Sequence, residues 1–117
     1  MYNVNTITLF NRSTKKLRKK YPRIEKDILP LINKLEQGIF EGDRLQGFNG
    51  DVYKVRINSS DQKKGKRGGH RILYYVITEN SDVWLVFIYT KASQPTPTSD
   101  EFKKINQIVE ELKKTNN

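Results

Sequence analysis

Between residues 52 and 57 apolar and charged positions alternate, which puts Tyr53, Val55 and Ile57 on one side of an extended chain and Lys54 and Arg56 on the other. A period of two predicts a strand, and it makes two cations project together from one face. Residues 72–78 and 83–90 predict two further strands, joined by Glu79-Asn80-Ser81-Asp82, whose composition suits a tight hairpin loop. Within the last of these, Trp84-Leu85-Val86-Phe87-Ile88 is apolar on both parities, as expected of a central strand covered on both sides.

Upstream the period lengthens. Thr6-Ile7-Thr8-Leu9-Phe10 reads as a short strand from its β-branched and aromatic content. A first helix is predicted over residues 14–21, anchored by Leu17 and Tyr21, four apart on one face. Tyr21-Pro22 ends it, because the residue before proline avoids the α region, and Pro22 can open a second helix. Ile24, Ile28, Leu31 and Leu35 follow at helical spacing, with Pro30 inside the pattern predicting a kink or break and Gly38 marking the end. Residues 39–51 read as a connector with Leu45 and Phe48 tucked against the core. After Gln94-Pro95-Thr96-Pro97, Thr98 and Glu101 have the spacing of a capping box, and Phe102, Ile105, Val109 and Leu112 make one apolar stripe of a final helix, read as core packing. The order strand, two helices, three strands, helix describes a single α+β domain over residues 1–117: an antiparallel meander with helices packed on one face.

Length and composition narrow the chemistry. At 117 residues with 35% hydrophobic content, one modest core is all the chain can build. No run of about 18 apolar residues spans a bilayer and the N-terminus lacks a secretory pattern, so a cytoplasmic protein with no membrane association is expected. No cysteine and a single histidine exclude thiolate chemistry and Cys/His metal sites, and no cofactor is expected.

Charge supplies the functional signal. The net +9 is concentrated in two clusters: Arg12, Lys15, Lys16, Arg18, Lys19, Lys20 and Arg23, and then Lys54, Arg56, Lys63, Lys64, Lys66, Arg67 and Arg71. Two such clusters in a short chain predict a polyanion partner, with solvated basic faces as the bland alternative and an acidic protein as the second choice of partner. Gly65, Gly68 and Gly69 interrupt the second cluster without the spacing of a phosphate-binding loop, and serve as a turn into the strand that starts near Arg71.

The strand Val52-Tyr53-Lys54-Val55-Arg56, the basic loop ending Gly68-Gly69-His70-Arg71, the run Ile72-Leu73-Tyr74-Tyr75 and the run Phe87-Ile88-Tyr89-Thr90-Lys91 together resemble the RelE/ParE toxin superfamily, and within it the HigB-like branch of RelE-type toxins. The resemblance implies the toxin of a type II toxin-antitoxin pair. It implies a metal-independent endoribonuclease that cuts mRNA in the ribosomal A site and is silenced by an antitoxin, expected to be a helix-turn-helix protein. It also assigns residues: Lys54 and Arg56 match the family's basic strand, Arg71 the arginine that grips the scissile phosphate, and Lys91 the basic residue at the end of the fourth strand. Lys63, Lys64, Lys66, Arg67, His70 and Tyr89 are then candidate RNA contacts.

Elementary chemistry is compatible with that set. Cleavage needs a base for the 2′-OH, cations for the phosphorane and an acid for the 5′-oxygen, and the arginine fork suits two phosphate oxygens at once. One departure is plain: some RelE relatives place a catalytic tyrosine beyond the fourth strand, whereas Lys91 is followed by Ala92-Ser93-Gln94-Pro95. His70 ranks below the lysines and arginines, because strand alternation turns it away from the side that Arg71 faces. Tyr74, Tyr75 and Trp84 are of a type that stacks on bases, but burial in the sheet is the stronger reading. Two alternatives share the fold expectation: a ParE-like inhibitor of gyrase, and a non-catalytic RNA or ribosome binder.

Overall fold

A computed structural model describes residues 1–62 and 68–115. Its elements are β1 (Asn3–Thr6), α1 (Thr8–Arg18), α2 (Ile24–Glu36), β2 (Asp43–Arg44), β3 (Asp51–Ile57), β4 (His70–Ile77), β5 (Asp82–Thr90) and α3 (Ser99–Thr115). The strands among the described residues form one sheet in the order β1-β5-β4-β3-β2. The expected α+β architecture and the meander are present, with β3, β4 and β5 antiparallel to one another. The sheet is mixed, however, because β1 lies parallel to β5 on its far side. That pairing makes β5 an interior strand, and the layers packed on its two faces account for its apolar residues on both parities.

Residues of opposite parity build two apolar layers. Val55, Ile57, Ile72, Tyr74, Leu85 and Ile88 join Phe10, Ile24, Ile28, Leu31 and Leu35, so α1 and α2 pack as a pair on one face. Val52, Leu73, Tyr75, Phe87 and Tyr89 belong to the other layer, with Ile105 and Val109 of α3. Complete burial of each of these two α3 side chains contributes roughly 1.5–3 kcal/mol. Leu45 and Phe48 pack into this second layer, as the connector reading expected.

The N-terminal third differs from the sequence expectation. The first strand is residues 3–6, and the stretch 6–10 is mostly helical because α1 begins at Thr8. Phe10 and Thr14 are buried while Ile7 and Leu17 pack beside the core, so a stripe at helical spacing extends further upstream than Leu17 and Tyr21 suggested. Tertiary burial of that stripe overrides the β preference of the threonines and isoleucine. The second helix runs unbroken through Pro30. Pro30 and Lys26 are both exposed, so water can serve the carbonyl that the proline leaves unbonded, while the buried stripe on the opposite side holds the helix together.

Local chemistry decides the other ends. Thr98 Oγ1 accepts from the Glu101 amide at 3.1 Å and the Glu101 carboxylate accepts from the Thr98 amide at 2.8 Å, a reciprocal capping box at the head of α3. The link between β4 and β5 is a single 3-10 turn, Thr78–Asn80, followed by Ser81 at φ 55°. β5 therefore starts at Asp82, one residue inside the predicted loop.

Candidate functional site

Register places the cations. In the β3/β4 pairing Arg56 stands directly opposite Arg71, and in the β4/β5 pairing Arg71 stands opposite Tyr89. Arg56, Arg71 and Tyr89 thus form one row across three strands. One row further in, Lys54 lies opposite Leu73, and Leu73 opposite Phe87. All of these side chains share the parity of the layer that α3 covers further along the sheet, so the row lies on the α3 side, opposite the face on which α1 and α2 pack, at the His70 end of β4. A register shift between Leu73 and Tyr74 takes up one extra residue of β5 and brings Phe87 and Tyr89 onto that parity.

The two guanidiniums converge on a common acceptor. Arg56 Nε donates to the Gly68 carbonyl at 3.1 Å and Arg71 Nη1 to the same oxygen at 3.3 Å. Like charges directly opposite on a sheet are destabilising by roughly 0.2–1 kcal/mol. Partial burial, and after it the Arg56 charge, lowers the Arg71 guanidinium from its ordinary value, with Tyr89 acting in the opposite sense. Arg71 remains charged, since an arginine does not lose its proton in a protein. A bound anion would relieve the repulsion, and the fork geometry suits a phosphate. Lys54 is half-buried beside this pair, and Lys91 is exposed at the end of β5, its amide 3.4 Å from the Gly69 carbonyl.

Two sequence-predicted RNA contacts are corrected. His70 is 0% exposed, its Nδ1 2.8 Å from Thr90 Oγ1 and its ring edge-on to Tyr21 with centroids 4.9 Å apart. It faces the α1/α2 layer, as strand alternation from Arg71 requires, and burial closes it to RNA. Desolvation lowers its pKa, against the smaller opposing pull of Asp27 and Asp61. Tyr89 shares the row of Arg71 but is 2% exposed and stacked on Phe87, so no base can lie on its ring; burial raises its pKa and keeps the phenol protonated. Lys63, Lys64, Lys66 and Arg67 lie outside the described residues.

Thr90 and the Gly68 carbonyl were missed as participants, yet Thr90 had a signal. Thr90 is a polar residue on the parity of the apolar Ile88, and the register sets it directly opposite His70, which alternation turns away from the side of Arg71, so the two meet in a buried hydrogen bond. Among the described residues no group of three or more His, Asp or Glu side chains is gathered to hold a metal, and no helix is long and apolar enough to cross a membrane.

No protein-family profile matches the chain. Solved structures do. A chain of the intact E. coli RelBE toxin-antitoxin complex is 25% identical, with 75% of this chain and 94% of that one covered and a TM-score of 0.50. A metal-bound toxin from Helicobacter pylori is 14% identical, over 80% and 99% of the two chains, with a TM-score of 0.58. The fold is that of the RelE toxins. A doubly arginine-substituted mutant of E. coli RelE, solved with a peptide of the antitoxin RelB, shares this RelE-like fold at 23% identity, over 88% and 92% of the chains, with a TM-score of 0.51. The match is at the level of the RelE/ParE superfamily, and the cationic row lies on its central strands.

Proposed function

We propose that this protein is the toxin of a toxin-antitoxin pair, of the HigB-like branch of RelE-type toxins, and that it cuts mRNA in the ribosomal A site without a metal. The observation that carries the reading is the Arg56/Arg71 pair held directly opposite across β3 and β4, with Lys54 on the same face of β3. The fold shared with RelE supports the toxin role at superfamily level, and the RelBE complex supports an antitoxin as partner. That antitoxin is taken to be a helix-turn-helix protein acting with the toxin in the cytoplasm.

In this reading Arg71 and Arg56 grip the non-bridging oxygens of the scissile phosphate and oppose the charge that grows on them. Lys54, opposite Asp43 on one side and Leu73 on the other and two residues from Arg56 on the same strand face, takes the 2′-OH proton. The freed oxygen attacks the adjacent phosphorus, the bond to the 5′-oxygen breaks, and Lys91 as an ammonium returns a proton to that oxygen. The products are a 2′,3′-cyclic phosphate and a 5′-hydroxyl, and the protons balance.

Primer extension on translated messages tests the reading. Wild-type protein is expected to leave cuts within ribosome-covered codons, and Lys54→Ala combined with Arg71→Ala to leave none. Unchanged cutting by the double variant sinks the site assignment. Wild-type protein that blocks DNA supercoiling and leaves transcripts whole sinks the nuclease in favour of a gyrase inhibitor.

A further inference from the structure

Behind the cationic row sits a buried polar pair that the cleavage chemistry does not use. His70 and Thr90 are 0% and 1% exposed, they are partners in the β4/β5 register, and His70 Nδ1 lies 2.8 Å from Thr90 Oγ1. His70 is the first residue of β4 and Thr90 the last of β5. The residues that follow them are Arg71 and Lys91, so the pair closes the sheet at the point from which both cations leave it.

Other contacts tighten the same corner. Tyr21, from the turn between α1 and α2, presses edge-on against the His70 ring. The Gly69 amide donates to the Gln62 side chain at 2.6 Å, and the Lys91 amide lies 3.4 Å from the Gly69 carbonyl. Asp27 of α2 accepts from the amide and hydroxyl of Ser60, and Asp61 accepts from the Arg23 amide, so the start of the β3–β4 connection is tied to the helices.

A buried imidazole is an expensive way to fill space. His70 Nε2 has no hydrogen-bond partner among the described residues, and leaving a buried polar group unpaired is destabilising. An aliphatic side chain would pack the layer without that penalty but would have no directional bond. We propose that His70 is a positioning residue: its bond to Thr90 on one face of the sheet sets the direction in which Arg71, and through Thr90 Lys91, project on the other. The proposal rests on the nuclease reading only for its catalytic consequence.

The test combines single-turnover cleavage on programmed ribosomes with NMR of the Arg71 side-chain Nε–Hε group, a readout that needs no activity. His70→Leu is expected to move or broaden the Arg71 signal and to lower the cleavage rate roughly ten- to a hundredfold, as small misplacements of a catalytic group do. Apparent affinity for the ribosome should stay within about twofold, since binding is not what the pair sets. His70→Asn keeps an amide able to reach the Thr90 hydroxyl and should restore most of the rate and the signal. Thr90→Val, nearly equal in volume, should reproduce the loss in milder form and stands in if His70→Leu does not fold. An unmoved Arg71 signal with an unchanged rate in the folded variants overturns the proposal. So does equal impairment by Asn and Leu, which would mark a packing role alone. If wild-type protein cuts no message while the Arg71 signal still follows His70, the nuclease reading fails and the positioning role stands.

Discussion

The chain carries two basic regions of seven cations each, and the fold treats the first and the described part of the second in opposite ways. The first occupies α1 and the turn after it: Arg12, Lys15, Lys16, Arg18, Lys19, Lys20 and Arg23 are all exposed. Two of them have local uses, Arg18 in an ion pair with Glu25 at 2.7 Å and Lys20 over the Tyr21 ring at 5.8 Å. The second has members on adjacent strands, where register dictates which cation faces which, and one of them, Arg71, is half-buried between Arg56 and Tyr89. Charge on a helix surface is free to adjust to a partner, whereas charge on paired strands is committed before the partner arrives. Preorganisation is what chemistry on a phosphate requires, and long-range attraction does not need it.

The sharpest way to break this comparison is to remove the most committed cation. Arg71→Ala is expected to lower single-turnover cleavage of ribosome-bound message by roughly 10²–10³, the usual effect of losing one preorganised donor. Arg71→Lys should recover little, since a point charge cannot span two phosphate oxygens in the fixed plane of a guanidinium. Near-wild-type cleavage by either variant would mean that the row is a solvated strand face like α1.

A second, smaller effect probes the backbone that aims Arg71. Gly69 has φ +87°, and a Cβ there would lie 2.3 Å from the Ile57 carbonyl oxygen, a backbone atom that cannot step aside. Gly69→Ala should destabilise the fold by roughly 1–3 kcal/mol, and chemical denaturation would register it. Cleavage below the denaturation midpoint should fall too, because β4 begins at the next residue.

What could be read in advance divides along the same line. The alternation around Lys54 and Arg56, the two-sided apolar run from Trp84 to Ile88 and the Thr98/Glu101 cap are set by neighbours in the chain, and they were legible. The start of α1, the parallel pairing of β1 with β5 and the unbroken course of α2 through Pro30 depend on partners distant in sequence, so propensity misjudged them. At the site, parity alone separated His70 from Arg71. The burial of Tyr89 could not be seen, because it depends on stacking against Phe87 in a layer that α3 completes.

A third expectation concerns pH. The folded state holds His70 neutral, with its pKa lowered by burial from the ordinary 6.5 despite Asp27 and Asp61 nearby. The unfolded chain therefore binds a proton that the folded one refuses as the pH drops through 6.5. His70's contribution to stability is complete above that value, is lost progressively below it, and levels off once the folded-state pKa is passed. Melting temperature of wild-type protein should fall as the pH is lowered from 7.5 to 5.5. His70→Asn should flatten that slope, and an identical slope in the variant would assign it to other groups.

The smallest effect is expected where charge is most abundant. Lys15→Ala with Lys16→Ala removes two exposed cations from α1 without touching a buried side chain, so the melting temperature should stay close to wild type. If α1 contributes only long-range attraction, the pair weakens association with ribosomes by less than about tenfold at low salt, and the difference shrinks as salt is raised. The cleavage rate at saturating ribosomes should not move, because neither lysine faces the row on β3 and β4. A drop in that rate comparable to the loss from Arg71→Ala would erase the distinction, and would place α1 against the message itself.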